Sequence, residues 1–122
     1  MKKMSEELFE VEESAFLGNA IFVKHNRMLV KVEFDTIKWI ESDGNYSTIV
    51  TCNKKYLVRK SLTRLMESLP DHQFIRLNKS CIACATLITQ IDATNNMVYL
   101  GEIEMNLGRN YKKPLLDRLN LI

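Results

Sequence analysis

The sequence predicts a mostly β fold: about ten short antiparallel strands in small packed sheets, with one short central helix and a short C-terminal helix. Three observations lead there. β-Branched and aromatic residues recur in short runs broken by Gly, Asn and Asp turns. Helical spacing is clear at one internal place, Leu62, Leu65, Met66 and Leu69. A chain of 122 residues with 46% apolar and 26% charged residues suits one domain built on one core.

The elements follow in order. Residues 1–19 are glutamate-rich and are read as an acidic linker or arm; Leu8, Val11 and Phe16 are spaced for a loose amphipathic helix. The domain is expected to span residues 20–122. Ile21 to Lys24, a turn at His25-Asn26-Arg27, and Met28 to Phe34 read as a hairpin. Ile37 to Ser42 is a third strand. Asp43-Gly44-Asn45 turns the chain, because Gly and Asn tolerate positive φ. Tyr46 to Thr51 is a fourth strand, with Tyr46, Thr48 and Val50 on one face and Ser47, Ile49 and Thr51 on the other. Asn53-Lys54-Lys55 leads into Tyr56 to Arg59. Ser61 caps the central helix and Pro70 stops it. Strands resume at Phe74 to Leu77, Cys81 to Ala83, Leu87 to Asp92 and Met97 to Leu100, with Asn95-Asn96 as a hairpin turn. Ile103 to Leu107 is the last strand. Gly108 to Tyr111 leaves it, and Pro114 is placed in the first turn of a terminal helix that buries Leu115, Leu116 and Leu119.

This pattern excludes two architectures. A helix-turn-helix needs two adjacent amphipathic helices. A receiver domain needs alternating strands and helices around a parallel sheet. No apolar stretch follows Lys2 and Lys3, so no secretory signal and no membrane contact are expected and the chain is read as cytoplasmic. Three cysteines, an odd number, are then expected as reduced thiols.

Candidate chemistry is sparse. Cys81-Ile82-Ala83-Cys84 is a C-x-x-C, but a zinc site needs further ligands at metal spacing, and on a strand its two thiols point to opposite faces. No metal, no cofactor and no catalytic residue is expected: His25 and His72 flank no nucleophile motif, and the four glycines form no phosphate-cradling loop. The charge distribution says more. Residues 1–20 set two lysines against five glutamates, a net of −3, and the remainder carries fifteen basic and ten acidic residues, a net of +5. Basic and amide side chains cluster at strand ends: Arg76, Asn78 and Lys79 at one turn, Arg109, Asn110, Lys112 and Lys113 after the last strand, Asn45 and Tyr46 at a third tip. Such groups contact phosphates and, for arginine, guanine edges. Charge alone leaves plain solvated loops as an equal reading.

Read in order, the segments resemble a known family. Ile37 to Tyr46 (IKWIESDGNY) is similar to the LytTR pattern in which "I-x-Y-I-E-A" runs into "x-G-N-Y". Leu57 to Leu62, followed by Leu65 and Leu69-Pro70, resembles "R-x-S-L-x-x-L-x-x-x-L-P", and Phe74 to Ser80 resembles "F-x-R-x-H-R-S". Arg109-Asn110-Tyr111 falls where the family has "S-R-R-Y". The resemblance, to LytTR-type DNA-binding domains (the LytR/AgrA/AlgR family of bacterial transcription regulators), covers about residues 20–119. It implies antiparallel sheets whose edge loops enter successive major grooves of double-stranded DNA, often at paired direct repeats. The domain is often the output part of a two-component response regulator, so a receiver domain or a homodimer partner is expected. Carried over by position, the DNA contacts are Asn45, Tyr46, Asn78, Lys79, Arg109 and Asn110. The chain departs from the pattern at Asn78 and Lys79, which replace histidine and arginine, and at Cys81, Ala83 and Cys84. Gly108 stands in place of serine, which implies a looser loop. The alternative function is a β-rich protein- or ligand-binding module with a degenerate DNA surface.

Overall fold

The computed structural model describes residues 18–122. Among these residues ten strands and two helices run in the order β1 (Ala20–His25), β2 (Met28–Glu33), β3 (Ile37–Asp43), β4 (Tyr46–Thr51), β5 (Lys55–Val58), α1 (Leu62–Met66), β6 (Phe74–Asn78), β7 (Cys81–Cys84), β8 (Gln90–Asp92), β9 (Met97–Leu100), β10 (Ile103–Asn106) and α2 (Arg109–Asp117). The mostly β expectation holds. Of the acidic arm, only Gly18 and Asn19 fall among the described residues; Leu8, Val11 and Phe16 lie outside them.

The centre is a five-stranded antiparallel sheet in the order β5-β4-β3-β7-β6. Both of its faces are covered. One buries Ile40, Ile49, Phe74, Ile82 and Cys84 against the β1–β2 hairpin and α1. The other buries Ile75, Leu77 and Ala83 against the three-stranded sheet β8-β9-β10 and α2. A strand buried on both faces reads as a continuous apolar run rather than an alternating one. That is why β7, the sequence Cys-Ile-Ala-Cys, is buried throughout. On β4 alternation holds only at first: Tyr46 is exposed and Ser47 and Ile49 are buried, but Val50 and Thr51 are both buried.

The turns follow from residue chemistry. The β1–β2 loop is two residues, Asn26 (φ 52°) and Arg27 (φ 71°), both left-handed as a type I′ hairpin requires. Gly44 (φ 66°) opens the two-residue β3–β4 loop. Ser61 caps α1 by accepting from the Arg64 amide at 3.2 Å. That helix is little more than one turn, five residues long. Its continuation tightens into i→i−3 bonds, Ser68 N–H to the Leu65 carbonyl and Leu69 N–H to the Met66 carbonyl, which still deliver Leu69 to the core.

Two elements differ from the sequence reading. The expected strand Leu87–Asp92 breaks into a 3-10 turn at Ala85–Leu87 and a strand that begins only at Gln90. Here the chain passes from one sheet to the other, and the Thr89 amide reaches the Tyr99 carbonyl instead of extending β7. The terminal helix starts at Arg109, five residues before Pro114, which sits inside it rather than in its first turn. A proline there costs one intrahelical bond, that to the Asn110 carbonyl. The helix still starts early because the Gly108 amide is anchored on the Leu77 carbonyl at 2.8 Å. Leu115 is buried, whereas Leu116 and Leu119 are half-buried.

Candidate nucleic-acid interface

Antiparallel pairing brings the turns of interest to one end of the central sheet. Asp43 pairs with Tyr46 at the β3–β4 tip. Glu41 pairs with Cys81 at the start of β7, and the Ser42 amide donates to the Ser80 carbonyl at 2.9 Å. The β6–β7 turn, Asn78 to Ser80, therefore lies beside the β3–β4 tip. The Gly108 anchor then sets the first turn of α2 against β6, next to that turn. Asn78, Lys79, Arg109 and Asn110 line one open groove together with Trp39 and Tyr111. Asn45 and Tyr46 stand at the same end of the sheet but outside that groove.

The side chains divide by how tightly they are held. Lys79, Arg109, Asn110 and Asn45 are exposed and make no side-chain hydrogen bond or ion pair with the described residues. Tyr46 and Asn78 are engaged. The Tyr46 hydroxyl accepts from the Arg59 guanidinium at 3.1 Å, and that guanidinium lies 5.5 Å from the ring centroid. The hydrogen bond raises the Arg59 pKa above its already high ordinary value. The Asn78 amide nitrogen donates to the Asn106 carbonyl at 2.7 Å, and its oxygen accepts from the Ser80 amide at 2.7 Å. Lys112 and Lys113, grouped with Arg109 by sequence, belong elsewhere. Lys112 donates to the Ala93 carbonyl, and Lys113 pairs with Asp117 at 3.0 Å.

Arg59 and Lys60 are interface candidates that sequence reasoning missed. The register Ser47↔Val58 puts Arg59 level with Tyr46, and the Ser47 hydroxyl donates to the Lys60 carbonyl at 2.6 Å. A turn placed at Asn53–Lys55 puts Arg59 out of register with Tyr46. The turn lies earlier, where Thr51 exchanges backbone and hydroxyl bonds with Lys54. The signal was Thr51, whose hydroxyl closes the turn on itself.

Gly108 is not a loosened joint. Its φ is −69°, an ordinary value, and a Cβ built on it would meet Tyr111 Cδ2 at 3.0 Å and Asn78 Cβ at 3.3 Å. The missing side chain permits a close approach of α2 to the β6–β7 turn.

The groove also carries two carboxylates, Glu41 and Glu104. Glu41 accepts from the Trp39 indole N–H at 2.8 Å. The two cysteines of β7 take the positions expected of strand residues. Cys84 joins the core with Ile82, whereas Cys81 Sγ lies 3.4 Å from Met105 Sδ, on the opposite face. Burial, with Glu41 nearby, pushes the Cys81 thiol up to about 12, so it stays protonated at neutral pH. Among the described residues, no three His, Cys, Asp or Glu side chains are grouped to hold a metal ion, and no helix is long and apolar enough to cross a membrane.

Comparison with known proteins agrees with this architecture. The family model of the LytTr DNA-binding domain matches residues 27–120. The sensory transduction protein LytT of Bacillus subtilis (strain 168) is 22% identical over 125 residues, which take in 98% of this chain and 52% of that protein. The chain thus spans about half the length of this curated relative. A solved LytTr DNA-binding domain from Bacillus cereus superposes with a TM-score of 0.72 at 17% identity, covering 84% of this chain and 98% of that one. At that identity the superposition speaks for the fold.

Proposed function

The chain belongs to the LytTR family of DNA-binding domains, and from that premise we propose that it binds double-stranded DNA sequence-specifically, through loops inserted in the major groove, to regulate transcription. One observation carries this reading: unengaged basic and amide side chains from separate loops sit together at one end of a sheet that is packed on both faces. A rigid scaffold presenting free Lys79, Arg109, Asn110 and Asn45 meets the two needs of DNA recognition. Lysine neutralises phosphate, while arginine and asparagine form paired hydrogen bonds with guanine and adenine edges respectively. Tyr46, with Arg59 stacked on it, and Lys60 extend the contact along the backbone. Asn78 supports the groove from beneath.

Two further parts belong to the proposal. The LytT relative is called a sensory transduction protein and is about twice as long as this chain, which supports an output role beside a receiver domain. Paired direct repeats, one domain per half-site, are the expected DNA target.

In vitro selection of bound duplexes from the full chain tests the reading, followed by affinity measurements across salt. An enriched sequence is expected, with log K falling against log [salt] by about 0.9 per neutralised phosphate. Arg109→Ala is expected to cost about 1–3 kcal/mol and to relax preference at one base pair. A salt slope near zero, or no enriched sequence together with one stoichiometric protein partner, refutes DNA binding and favours a protein-binding module.

A further inference from the structure

We propose that Arg76 and Asn78 are positioning residues, a clasp that locks the β6–β7 turn to the N-terminus of α2 so that Lys79 and Arg109 meet DNA as one rigid unit. The inference rests on the DNA-binding reading above and assigns these two residues a role other than touching DNA.

Every nitrogen of the Arg76 guanidinium is committed within the protein. Nε donates to the Asn78 carbonyl at 2.9 Å, and one terminal nitrogen to the Lys79 carbonyl at 2.7 Å. The other reaches Thr63 Oγ1 on α1 at 3.4 Å. The guanidinium carbon also lies 5.6 Å from the Tyr111 ring centroid on α2, within cation–π range. One side chain thus grips the carbonyls of the very turn that carries Lys79, while its charge sits over an aromatic ring of the helix that carries Arg109. Asn78 closes the clasp from the other side. Its amide ties Ser80, in its own turn, to Asn106, the residue two before the α2 cap.

Backbone geometry agrees. The β6–β7 register slips by one residue between Arg76 and Asn78, a bulge that re-aims the chain. Within it, the Leu77 carbonyl accepts from the Gly108 amide at 2.8 Å. With three of its five N–H groups donated inside the protein, this guanidinium is held in place rather than free to swing toward a phosphate. Its contribution is to prepay the ordering of two loops that would otherwise lose freedom on binding. Lysine keeps the charge but cannot make the planar fork.

The test uses the full chain and two probes: the duplex selected on the wild type and a random-sequence duplex of equal length. Arg76→Lys is expected to weaken binding to the selected duplex at least tenfold, while binding to the random duplex stays within twofold and the salt slope is unchanged. Asn78→Ala should behave alike. Asn78→His, which keeps one donor and one acceptor, should restore most of the selectivity. Amide NMR spectra confirm folding, and should Arg76→Lys not fold, the Asn78 pair carries the test. Three results overturn the clasp: a selected-duplex affinity of Arg76→Lys within twofold of wild type, equal loss on both probes, or an Asn78→His variant no better than Asn78→Ala. A wild type that enriches no sequence overturns instead the DNA-binding reading, and the clasp falls with it.

Discussion

Replacing Gly108 by serine, the residue the family resemblance places there, sets two effects against each other, and the structure gives the sign. Gly108 caps α2 with no side-chain hydrogen bond, so a serine hydroxyl adds a cap where none exists. Serine exceeds glycine at that position by only a few tenths of a kcal/mol. Against this, the new Cβ would lie 3.0 Å from Tyr111 Cδ2, 3.3 Å from Asn78 Cβ and 3.4 Å from Asn78 Cα. Tyr111 is in cation–π contact with Arg76, and Asn78 is tied at both ends of its amide, so neither neighbour yields freely. Forcing an extra carbon into such a site costs about 1–3 kcal/mol. The net is a loss of about 1–2 kcal/mol, or a fall in Tm of roughly 4–8 °C for a domain of this size. Thermal melts and urea titrations of wild type, Gly108→Ser and Gly108→Ala measure it, with the m-value unchanged. Alanine, which brings the clash without the cap, should be the least stable of the three. A serine variant as stable as wild type or more so would refute the close-packing reasoning: the cap would then outweigh the contact, and the turn–helix junction would be soft.

Phe74 is fully buried and meets Phe34 edge-on at 6.1 Å, so Phe74→Ala should cost about 3–5 kcal/mol in urea unfolding; a loss under 1 kcal/mol would show that this core is not close-packed. Ser47→Ala removes a buried hydroxyl from the Lys60 carbonyl at 2.6 Å and should cost about 1–3 kcal/mol, read from the urea midpoint; a neutral result would mean the carbonyl finds water. In a thiol-reagent assay at pH 8, Cys52 should react promptly and Cys81 and Cys84 only after denaturant is added, since the first is exposed and the others buried; three prompt thiols would contradict the burial. The Cys81 thiol ionises at about 12 when folded against an ordinary 9.0. The unfolded chain therefore gives up that proton first, and stability falls as pH rises from about 9 toward 12, by at most about 1.4 kcal/mol per pH unit. Cys81→Ala should lack that component, and pH–stability profiles of the two proteins that run parallel above pH 9 would remove it.

How far the fold could be read in advance depended on the range of the interactions that decide each element. Strands β1 to β4 and β6, the Gly44 turn and the Ser61 cap rest on contacts a few residues apart: runs and alternation of apolar positions, a residue that accepts positive φ, a hydroxyl three residues from the amide it caps. Those were legible. The start of α2 was not, because its anchor is the Leu77 carbonyl, thirty-one positions before Gly108. Pro114, a local signal, pointed to the wrong turn. The break in Leu87–Asp92 was equally hidden, since nothing in the run itself says that the chain changes sheets there.

The same division runs through the interface. Motif order alone brought Asn45, Tyr46, Asn78, Lys79, Arg109 and Asn110 forward, and the fold assembles Asn78, Lys79, Arg109 and Asn110 around one groove with Asn45 and Tyr46 at the same sheet end. Sequence by itself determined which turns carry basic and amide side chains, because turn chemistry and strand period are local. Only the tertiary structure decided which of those side chains are free. It turned Lys112 toward Ala93, brought Arg59 onto Tyr46 and spent every nitrogen of Arg76 inside the protein. A side chain's availability depends on partners that backbone pairing brings near from distant parts of the chain, and local pattern carries no record of them.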